Sequence, residues 1–304
     1  MTVVITTCTN RKRQPIPDEL RISAHGPTNM ADLAAQWTAR LDATTARHRA
    51  VDLYGGRGFK EARSAAERLN ARLLIASGGL GLIEGSASIP PYACTIIPGT
   101  PDSVGSRIEG TFSVSGWWSA LAMQSGWRVA LDDVVRGETG LILAALSDGY
   151  IEMIAGDLLA LSVSVRSRLR LFTRAPIERV PVHLAPFVMP YDVRLDGPDS
   201  PIRGTISDFA GRALHHFAER ILVREERCSA AAHQAQVAEA LSDWRVPEKI
   251  NRARLDDAGI LALLRTHQGD PAGMSLARLR GEFKIACEQR RYSKVTHTVR
   301  SEKK

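Results

Sequence analysis

The sequence predicts an α/β fold, in which a central, largely parallel mixed sheet is flanked by helices and followed by a small basic C-terminal helical module. Strand-like and helix-like segments alternate through residues 1–85, as in proteins built around parallel sheets. Residues 229–304 instead show helical spacing, with breaks near 245–247 and 269–271. The chain has 304 residues, of which 44% are hydrophobic and 24% charged, so it is long enough to bury a large core.

The elements follow from local patterns. Val3–Thr7 contains only β-branched residues and predicts a buried strand. Residues 14–29 contain three prolines and no clear period, which predicts a loop. Leu33, Trp37 and Leu41 recur every four residues and predict a helix over 30–49. By the same criteria, further strands are predicted at 51–54, 72–77, 140–146, 163–172, 180–187 and 191–195, and further helices at 59–70, 117–124, 128–135, from Tyr150 onward and at 207–225.

Two domains are expected, an α/β domain over residues 1–226 and a basic helical DNA-binding module over 227–304. The four cysteines, Cys8, Cys94, Cys228 and Cys287, are far apart and form no CxxC pair, which argues against a zinc ribbon and a disulfide scaffold. No run of about 18 apolar residues and no signal-peptide pattern occurs, so the cytoplasm is the expected compartment.

The net charge of +7 is unevenly distributed. The first 13 residues carry +3, and residues 276–304 carry nine Lys/Arg against three Glu. Residues 14–275 carry 28 basic and 30 acidic residues, so the body is nearly neutral. Two basic ends on a neutral body indicate a polyanionic partner, although a solvated C-terminus would have the same composition.

Ligands of open α/β sheets bind beyond the carboxyl ends of the strands, and three such ends have unusual loops. The first, residues 9–13 (TNRKR), offers the amide of Asn10 and the cations Arg11, Lys12 and Arg13. Arg and Lys pair with phosphate oxygens, so this loop is expected to hold phosphates or to be a basic surface loop.

The second loop has four glycines within residues 78–85, which allow close backbone approach to a ligand. It matches neither GxGxxG nor a Walker A loop, so no nucleotide cofactor is expected. Glu84 lies within an apolar stretch and is either a general base or an ion-pair or capping residue. In the third loop, Asp148 precedes a helix and is either a helix cap or a water-activating carboxylate.

The helix at 207–225 places Asp208, Arg212 and His215 on one face, because they are spaced four and three apart. No zinc-ligand spacing such as HExxH and no GxSxG nucleophile motif occurs, so neither a metal site nor covalent hydrolase chemistry is expected.

Five segments, in order along about 220 residues, together resemble the YaaA family of peroxide-stress, DNA-binding proteins. Residues 53–56 (LYGG) are similar to its LYTG, 74–83 (LIASGGLGLI) to its ILSGLYGLL, 91–92 (PY) to its QPY, 146–150 (LSDGY) to its ASNEY and 206–214 (ISDFAGRAL) to its ISFYAKKARG helix. The CTNRKR start at 8–13 is closer to compact relatives found beside transfer-RNA transglycosylase-like and phage-defence genes. Residues 286–292 (ACEQRRY) lie outside the pattern.

The resemblance implies a nucleic-acid-binding α/β fold similar to that of uracil-DNA-glycosylase-like enzymes, and for the phage-defence branch it implies removal of modified bases. The leading hypothesis is therefore a monofunctional DNA glycosylase of anti-phage defence. It would flip a modified base out of double-stranded DNA, glucosylated hydroxymethylcytosine being one candidate, and hydrolyse its N-glycosidic bond to leave an abasic site.

Roles follow for each group of residues. The proposed catalytic residues are Asp148 or Glu84 for water activation and Asn10 for base orientation. Base binding is assigned to Ser77, Gly78, Gly79, Tyr92, Ser147, Tyr150 and His215, with Tyr92 stacking on the base and His215 supporting the leaving group. Phosphate binding is assigned to Arg11, Lys12, Arg13, Arg212, Arg290, Arg291 and Lys294.

Two alternatives stay open. A non-catalytic DNA- or RNA-binding stress protein would show no base release at all. An RNA-modifying enzyme related to transglycosylases would exchange a base into transfer RNA, and the missing zinc-ligand spacing disfavours it.

Overall fold

The computed structural model describes residues 1–222, 228–248, 251–267 and 273–301 and divides into two compact units, Met1–Pro247 and Glu248–Lys304. The boundary lies 21 residues after the predicted one at 226/227. The reason is the helix Ala230–Ala240, whose Val237 is buried together with Phe217 and Leu241 in a core cluster of the first unit. Residues 228–247 are thus part of the α/β unit.

The described residues form these elements. The strands are β1 (Val3–Thr7), β2 (His48–Arg49), β3 (Arg72–Ser77), β4 (Gly81–Glu84), β5 (Ser88–Ile89), β6 (Ile142–Ala145), β7 (Leu169–Phe172), β8 (Ala253–Arg254) and β9 (Ile285–Ala286). The α-helices are α1 (Met30–Asp42), α2 (Ala50–Leu53), α3 (Arg57–Arg68), α4 (Val114–Gln124), α5 (Leu131–Arg136), α6 (Asp148–Ala160), α7 (Val163–Arg166), α8 (Phe209–His216), α9 (Ala230–Ala240), α10 (Asp257–Thr266), α11 (Leu276–Gly281) and α12 (Gln289–Ser301).

The central sheet has five strands in the order β4-β3-β1-β6-β7. Strand β1 pairs in parallel with β3, with Val3 opposite Arg72, and with β6, with Val3 opposite Ile142. Strand β7 extends the parallel part beside β6, and β4 closes the other edge antiparallel to β3. The predicted α/β class with a largely parallel mixed sheet flanked by helices is therefore confirmed.

Both faces of the sheet are buried. Val3 and Ile5 belong to one core cluster and the intervening Val4 belongs to another, because successive strand residues point to opposite faces. The first cluster includes Trp37 of α1 and Trp117 of α4, and the second includes α3 and α8. Burial on both faces explains why β1 appears in the sequence as an uninterrupted β-branched run.

The predicted strand at 51–54 is wrong, since α2 occupies this stretch. Ala50, Val51 and Leu53 are all buried, and a helical turn brings all three to the core whereas a strand would alternate them. The β-branched Val51 led the sequence prediction towards a strand.

Three further predictions need correction. Of the strand predicted at 163–172 only β7 forms, because Ser162 caps the helical turn α7 by accepting a hydrogen bond from the Val165 amide at 3.3 Å. Segments 180–187 and 191–195 form no strand of the sheet and contain 3₁₀ turns, Ala185–Phe187 and Val193–Asp196. The helix predicted at 207–225 is α8, extended by a π-helical turn Phe217–Ile221, and residues 223–225 lie outside the described residues.

The second unit has its own small core, formed by α10, α11 and α12 around Ile260, Leu279 and Val295. Its β8 and β9 pair in parallel, an element that the helical prediction did not include. None of the helices in the ranges given above has both the length and the apolar character that a bilayer crossing requires.

Candidate functional site

The carboxyl edge of the sheet contains a topological switch point between β1 and β6. From β1 the chain crosses to β3 on one side, whereas β6 and β7 lie on the other. The segments that leave β1 and β6 start side by side, and Cys8 Sγ lies 3.1 Å from the Tyr150 hydroxyl. Ligands of open α/β sheets bind at such crevices, so the loops at 8–13 and 147–150 are the first candidates for a site.

Ser77, the last residue of β3, organises a buried hydroxyl network beside this crevice. Its Oγ accepts hydrogen bonds from the Gly79 and Leu80 amides at 3.1 Å each and pairs with the Tyr92 hydroxyl. The Tyr92 hydroxyl in turn lies 2.6 Å from that of Tyr54. Burial raises the pKa of both tyrosines above the ordinary value, so both stay neutral.

The glycine turn after Ser77 is held by indole groups. Trp117 Nε1 donates to the Gly78 carbonyl and Trp37 Nε1 to the Gly79 carbonyl, each at 2.7 Å. A Cβ on Gly79 would lie 2.6 Å from Tyr92 Cε2, so glycine is needed here for packing against Tyr92.

This packing corrects the role predicted for Tyr92. The side chain is fully buried, with Trp37 and Tyr54 at edge-on angles to its ring, so it offers no face to a base. Ser77 and Tyr150 are also buried. Ser77, Tyr92 and Tyr150 do lie close together, but they form the floor beneath the crevice and leave no open base pocket among themselves.

Lys12 lies over this floor. Its Nζ is 4.5 Å from the centre of the Tyr92 ring and 4.9 Å from that of Tyr54, and it donates a hydrogen bond to the Thr9 carbonyl at 2.6 Å. Desolvation lowers the pKa of Lys12, against the opposing effect of Cys8 and Cys94. No carboxylate of the described residues lies within ion-pair distance of it.

Asp148 is the first residue of α6 and lies at the crevice. Its side chain is 44% exposed, and Oδ2 lies 3.4 Å from Arg179 Nη1. A half-exposed pair of this length contributes about 0–1 kcal/mol, so the carboxylate is available for other partners. Asn10 and Ser147 are exposed on the two loops that flank the crevice.

Glu84 does not belong to this site. Antiparallel pairing of β4 with β3 places it opposite Leu74, towards the amino end of β3, where it accepts a hydrogen bond from Arg72 Nε at 2.9 Å. The prediction placed Glu84 at the carboxyl edge because the hairpin that reverses the chain after Gly79 was not foreseen.

A basic cleft of about 270 Å³ opens next to the first loop. It is lined by Arg11, Arg13, the glycine pair 55–56, Arg57, Lys60 and Glu61. Gly56 has φ +99° and precedes α3, whose N-terminus at the cleft has no side-chain cap. Arg11, Arg13 and Lys60 form no ion pair within the described residues. The cleft is therefore suited to anions such as phosphate.

Of the predicted helix face, Asp208 and Arg212 are buried and His215 is partly exposed. Arg212 is fully buried, and its five N–H donors bond to Asp208, Asp196 and the carbonyls of Leu195, Ile202 and Thr205. The phosphate role predicted for Arg212 is therefore wrong. His215 Nδ1 lies 2.5 Å from Oε2 of Glu61, which lines the basic cleft, so His215 is held beside this cleft.

In the second unit, α12 contains no acidic residue, and its exposed positions include Gln289, Arg290, Lys294 and His297. Arg290 and Lys294 form no ion pair within the described residues. Arg291, by contrast, is engaged: Nε lies 2.5 Å from Asp257 Oδ1 and Nη2 donates to the Leu255 carbonyl at 2.8 Å. Of the three cations predicted to hold phosphate here, two are open and one is paired.

Sequence reasoning missed Arg57, Lys60, Cys8 and Tyr54. A glycine pair directly before a helix that begins with a cation, residues 55–57, was a usable signal for the cleft. Across the described ranges, His, Cys, Asp and Glu side chains form no group of three that could hold a metal ion.

Comparison of the chain with protein-family models, with curated proteins and with solved structures found no match.

Proposed function

We propose that this protein is a DNA glycosylase that hydrolyses the N-glycosidic bond of a modified base, with Asp148 activating the water. The observation that carries the proposal is the position of Asp148, a half-exposed carboxylate at the carboxyl edge of the sheet, three residues after β6 ends at the switch-point crevice. A sugar held there would have a carboxylate beside it to stabilise the positive charge that develops on its ring.

The reaction balances with water alone. The water oxygen attaches to C1′ as the C1′–N bond breaks, Asp148 takes the water proton, and the base leaves with the bonding electron pair and is protonated. Arg179, which now pairs loosely with Asp148, is suited to take a neighbouring phosphate and to free the carboxylate.

The distribution of cations supports DNA as the partner. The basic cleft offers Arg11, Arg13, Arg57 and Lys60 next to the loop that leaves β1. Residues 248–304 contain 13 Lys/Arg and seven Asp/Glu, so the second unit carries +6 of the total of +7. The acid-free helix α12 fits the major groove of double-stranded DNA in size and charge.

The decisive experiment incubates the full chain with unmodified DNA and with phage DNA that carries glucosylated hydroxymethylcytosine. Free base is measured by mass spectrometry, and abasic sites by alkaline strand cleavage. We expect release from modified DNA only, and we expect Asp148→Asn to lower the release rate by about 10²- to 10⁴-fold, as loss of a general base does.

Two carboxylates provide matched controls. Glu152 is exposed on the same helix α6, and Glu84 is paired with Arg72 at the far end of the strands. Glu152→Gln and Glu84→Gln should keep the wild-type release rate. If Asp148→Asn kept it too, the role given to Asp148 would be refuted, whereas absence of release by the wild type from every DNA would refute the glycosylase.

One observation favours a second candidate, a non-catalytic DNA-binding protein. The side chains of Ser77, Tyr92 and Tyr150 pack against neighbours rather than line a base-sized opening. A binder would retain the affinity of the basic cleft and of α12 in the same experiment and release no base.

A further inference from the structure

Lys12 differs from most cations of the first unit in residue type as well as in position. Residues 1–247 contain 25 arginines and only two lysines, Lys12 and Lys60. Arginine stays charged in any protein environment, whereas lysine can lose its proton when it is desolvated. The unit thus uses arginine for nearly all its cations and has lysine where the cation lies over the buried rings of Tyr54 and Tyr92.

We propose that Lys12 is an amine nucleophile that forms an imine with the C1′ aldehyde of an abasic site in DNA. The substrate class rests on the proposed function, because an abasic site is the product of base release. The activity itself goes beyond it, since hydrolytic base release requires no amine.

The surroundings of Lys12 favour the neutral amine. The rings of Tyr54 and Tyr92 lie beneath Nζ, and burial keeps both hydroxyls protonated. The thiol groups whose charge would act on Lys12 are Cys8 and Cys94, and burial raises the pKa of Cys94, which keeps that thiol neutral. Desolvation without a facing carboxylate therefore lowers the pKa of the amine, the usual way in which a lysine becomes a nucleophile near neutral pH.

Lys12 also lies at the edge of the sheet where ligands of such folds bind. Its residue is partly exposed and belongs to the loop that leaves β1 at the switch point. Arg11 and Arg13, its immediate neighbours, are exposed and line the basic cleft, so DNA held in the cleft would contact the loop that carries Lys12.

The chemistry balances as follows. The open-chain abasic deoxyribose carries an aldehyde at C1′, and the Lys12 nitrogen attacks this carbon. A C–N bond forms, the carbonyl oxygen leaves as water, and a protonated imine remains. Added cyanoborohydride delivers hydride to the imine carbon and converts the intermediate into a stable secondary amine.

The test uses the full chain and a duplex in which a single abasic site has been prepared beforehand, with cyanoborohydride present. We expect a covalent protein–DNA adduct, and we expect proteolysis and mass spectrometry to locate it on Lys12. Lys12→Arg keeps the positive charge without an amine nucleophile and should abolish the adduct, as should Lys12→Ala. As the pH is raised, the rate of adduct formation by the wild type should reach half its maximum well below pH 10.4, the approximate pKa of an ordinary lysine.

Lys284→Arg is the control, because Lys284 is an exposed lysine to which no role in the cleft or the crevice is assigned. It should form the adduct as the wild type does. An adduct on Lys60 or on the amino group of Met1, which pairs with Glu138, would overturn the proposal, as would no adduct at all. Because the abasic site is prepared beforehand, an adduct without base release from modified DNA would refute only the glycosylase.

Discussion

Arg212 and Lys12 were both predicted to hold DNA phosphates, and they lie in opposite electrostatic situations. Arg212 is fully buried and has every donor bonded, two of its partners being the carboxylates of Asp208 and Asp196. Lys12 is half-buried, donates to one carbonyl and faces two neutral aromatic rings. Arg212 is neutralised within the fold, whereas the charge of Lys12 is left without a counter-ion in the described residues.

We call a cation saturated when all its N–H donors are bonded and a carboxylate balances its charge. The difference teaches that saturation, more than presence in a motif, separates structural from functional basic residues. A buried cation that lacks its partners is costly, so a saturated one belongs to the fold. An unsaturated cation at a strand end can still change its charge or its partner. The same contrast recurs in α12 between Arg291, which is paired with Asp257, and the open Arg290 and Lys294.

The largest expected effect is on Arg212. Arg212→Ala removes the buried partner of the Asp208 and Asp196 carboxylates, which keep only their partly exposed pairs with Arg57 and Arg174, and we expect a loss of about 3–5 kcal/mol in the free energy of unfolding. Lys12→Ala removes only ring contacts and one hydrogen bond to a carbonyl, so its loss should be much smaller. Urea denaturation followed by circular dichroism measures both.

Arg203 supplies the control for this contrast. It is exposed and lies in the same loop region before α8, so Arg203→Ala should stay within about 0.5 kcal/mol of the wild type. If Arg212→Ala and Lys12→Ala lowered the free energy of unfolding by the same amount, saturation would not separate the two classes of cation.

His216 extends the comparison to pH. It is 3% exposed, its Nδ1 lies 2.8 Å from the Tyr191 hydroxyl, and desolvation, with a smaller effect of Arg220 and His215 against that of Glu219, lowers its pKa to about 4. The unfolded chain takes up this proton near pH 6.5, so the contribution is complete above that pH and is lost as the pH falls towards 4. The shift corresponds to roughly 3 kcal/mol.

Urea denaturation of the wild type and of His216→Gln at pH 7 and at pH 4.5 isolates this contribution from the carboxylates that titrate in both proteins. We expect the variant to lose less stability than the wild type between the two pH values. Equal losses would mean that His216 already takes up its proton in the folded protein above pH 4.5. Burial in α8 would then not keep it neutral.

The sequence was sufficient for the fold class, and it placed Asp148 at a strand end, for particular reasons. β1 and β3 are apolar runs that only a sheet buried on both faces accommodates, and Asp148 lies directly before a strong helical pattern. Glu84 was misplaced because strand register is a long-range property: the antiparallel return of β4 moves it to the other end of the sheet. The sequence pattern could not predict burial either. The four- and three-residue spacing of Asp208, Arg212 and His215 is the same on an internal and on an exposed helix face.

The smallest expected effect concerns α12 and separates open from paired cations on a single helix. Each phosphate contact contributes about 0.9 to the slope of log affinity against log salt, so Arg290→Ala with Lys294→Ala should reduce the slope for double-stranded DNA by about 1.8. Arg291→Ala should reduce it less, because the guanidinium is already held by Asp257 and by the Leu255 carbonyl. Fluorescence anisotropy titrations of the full chain over a range of salt concentrations give the slopes. An unchanged slope in the double variant would show that these open cations do not contact phosphate, and the contrast with Arg291 would then describe the stability of the second unit rather than DNA binding.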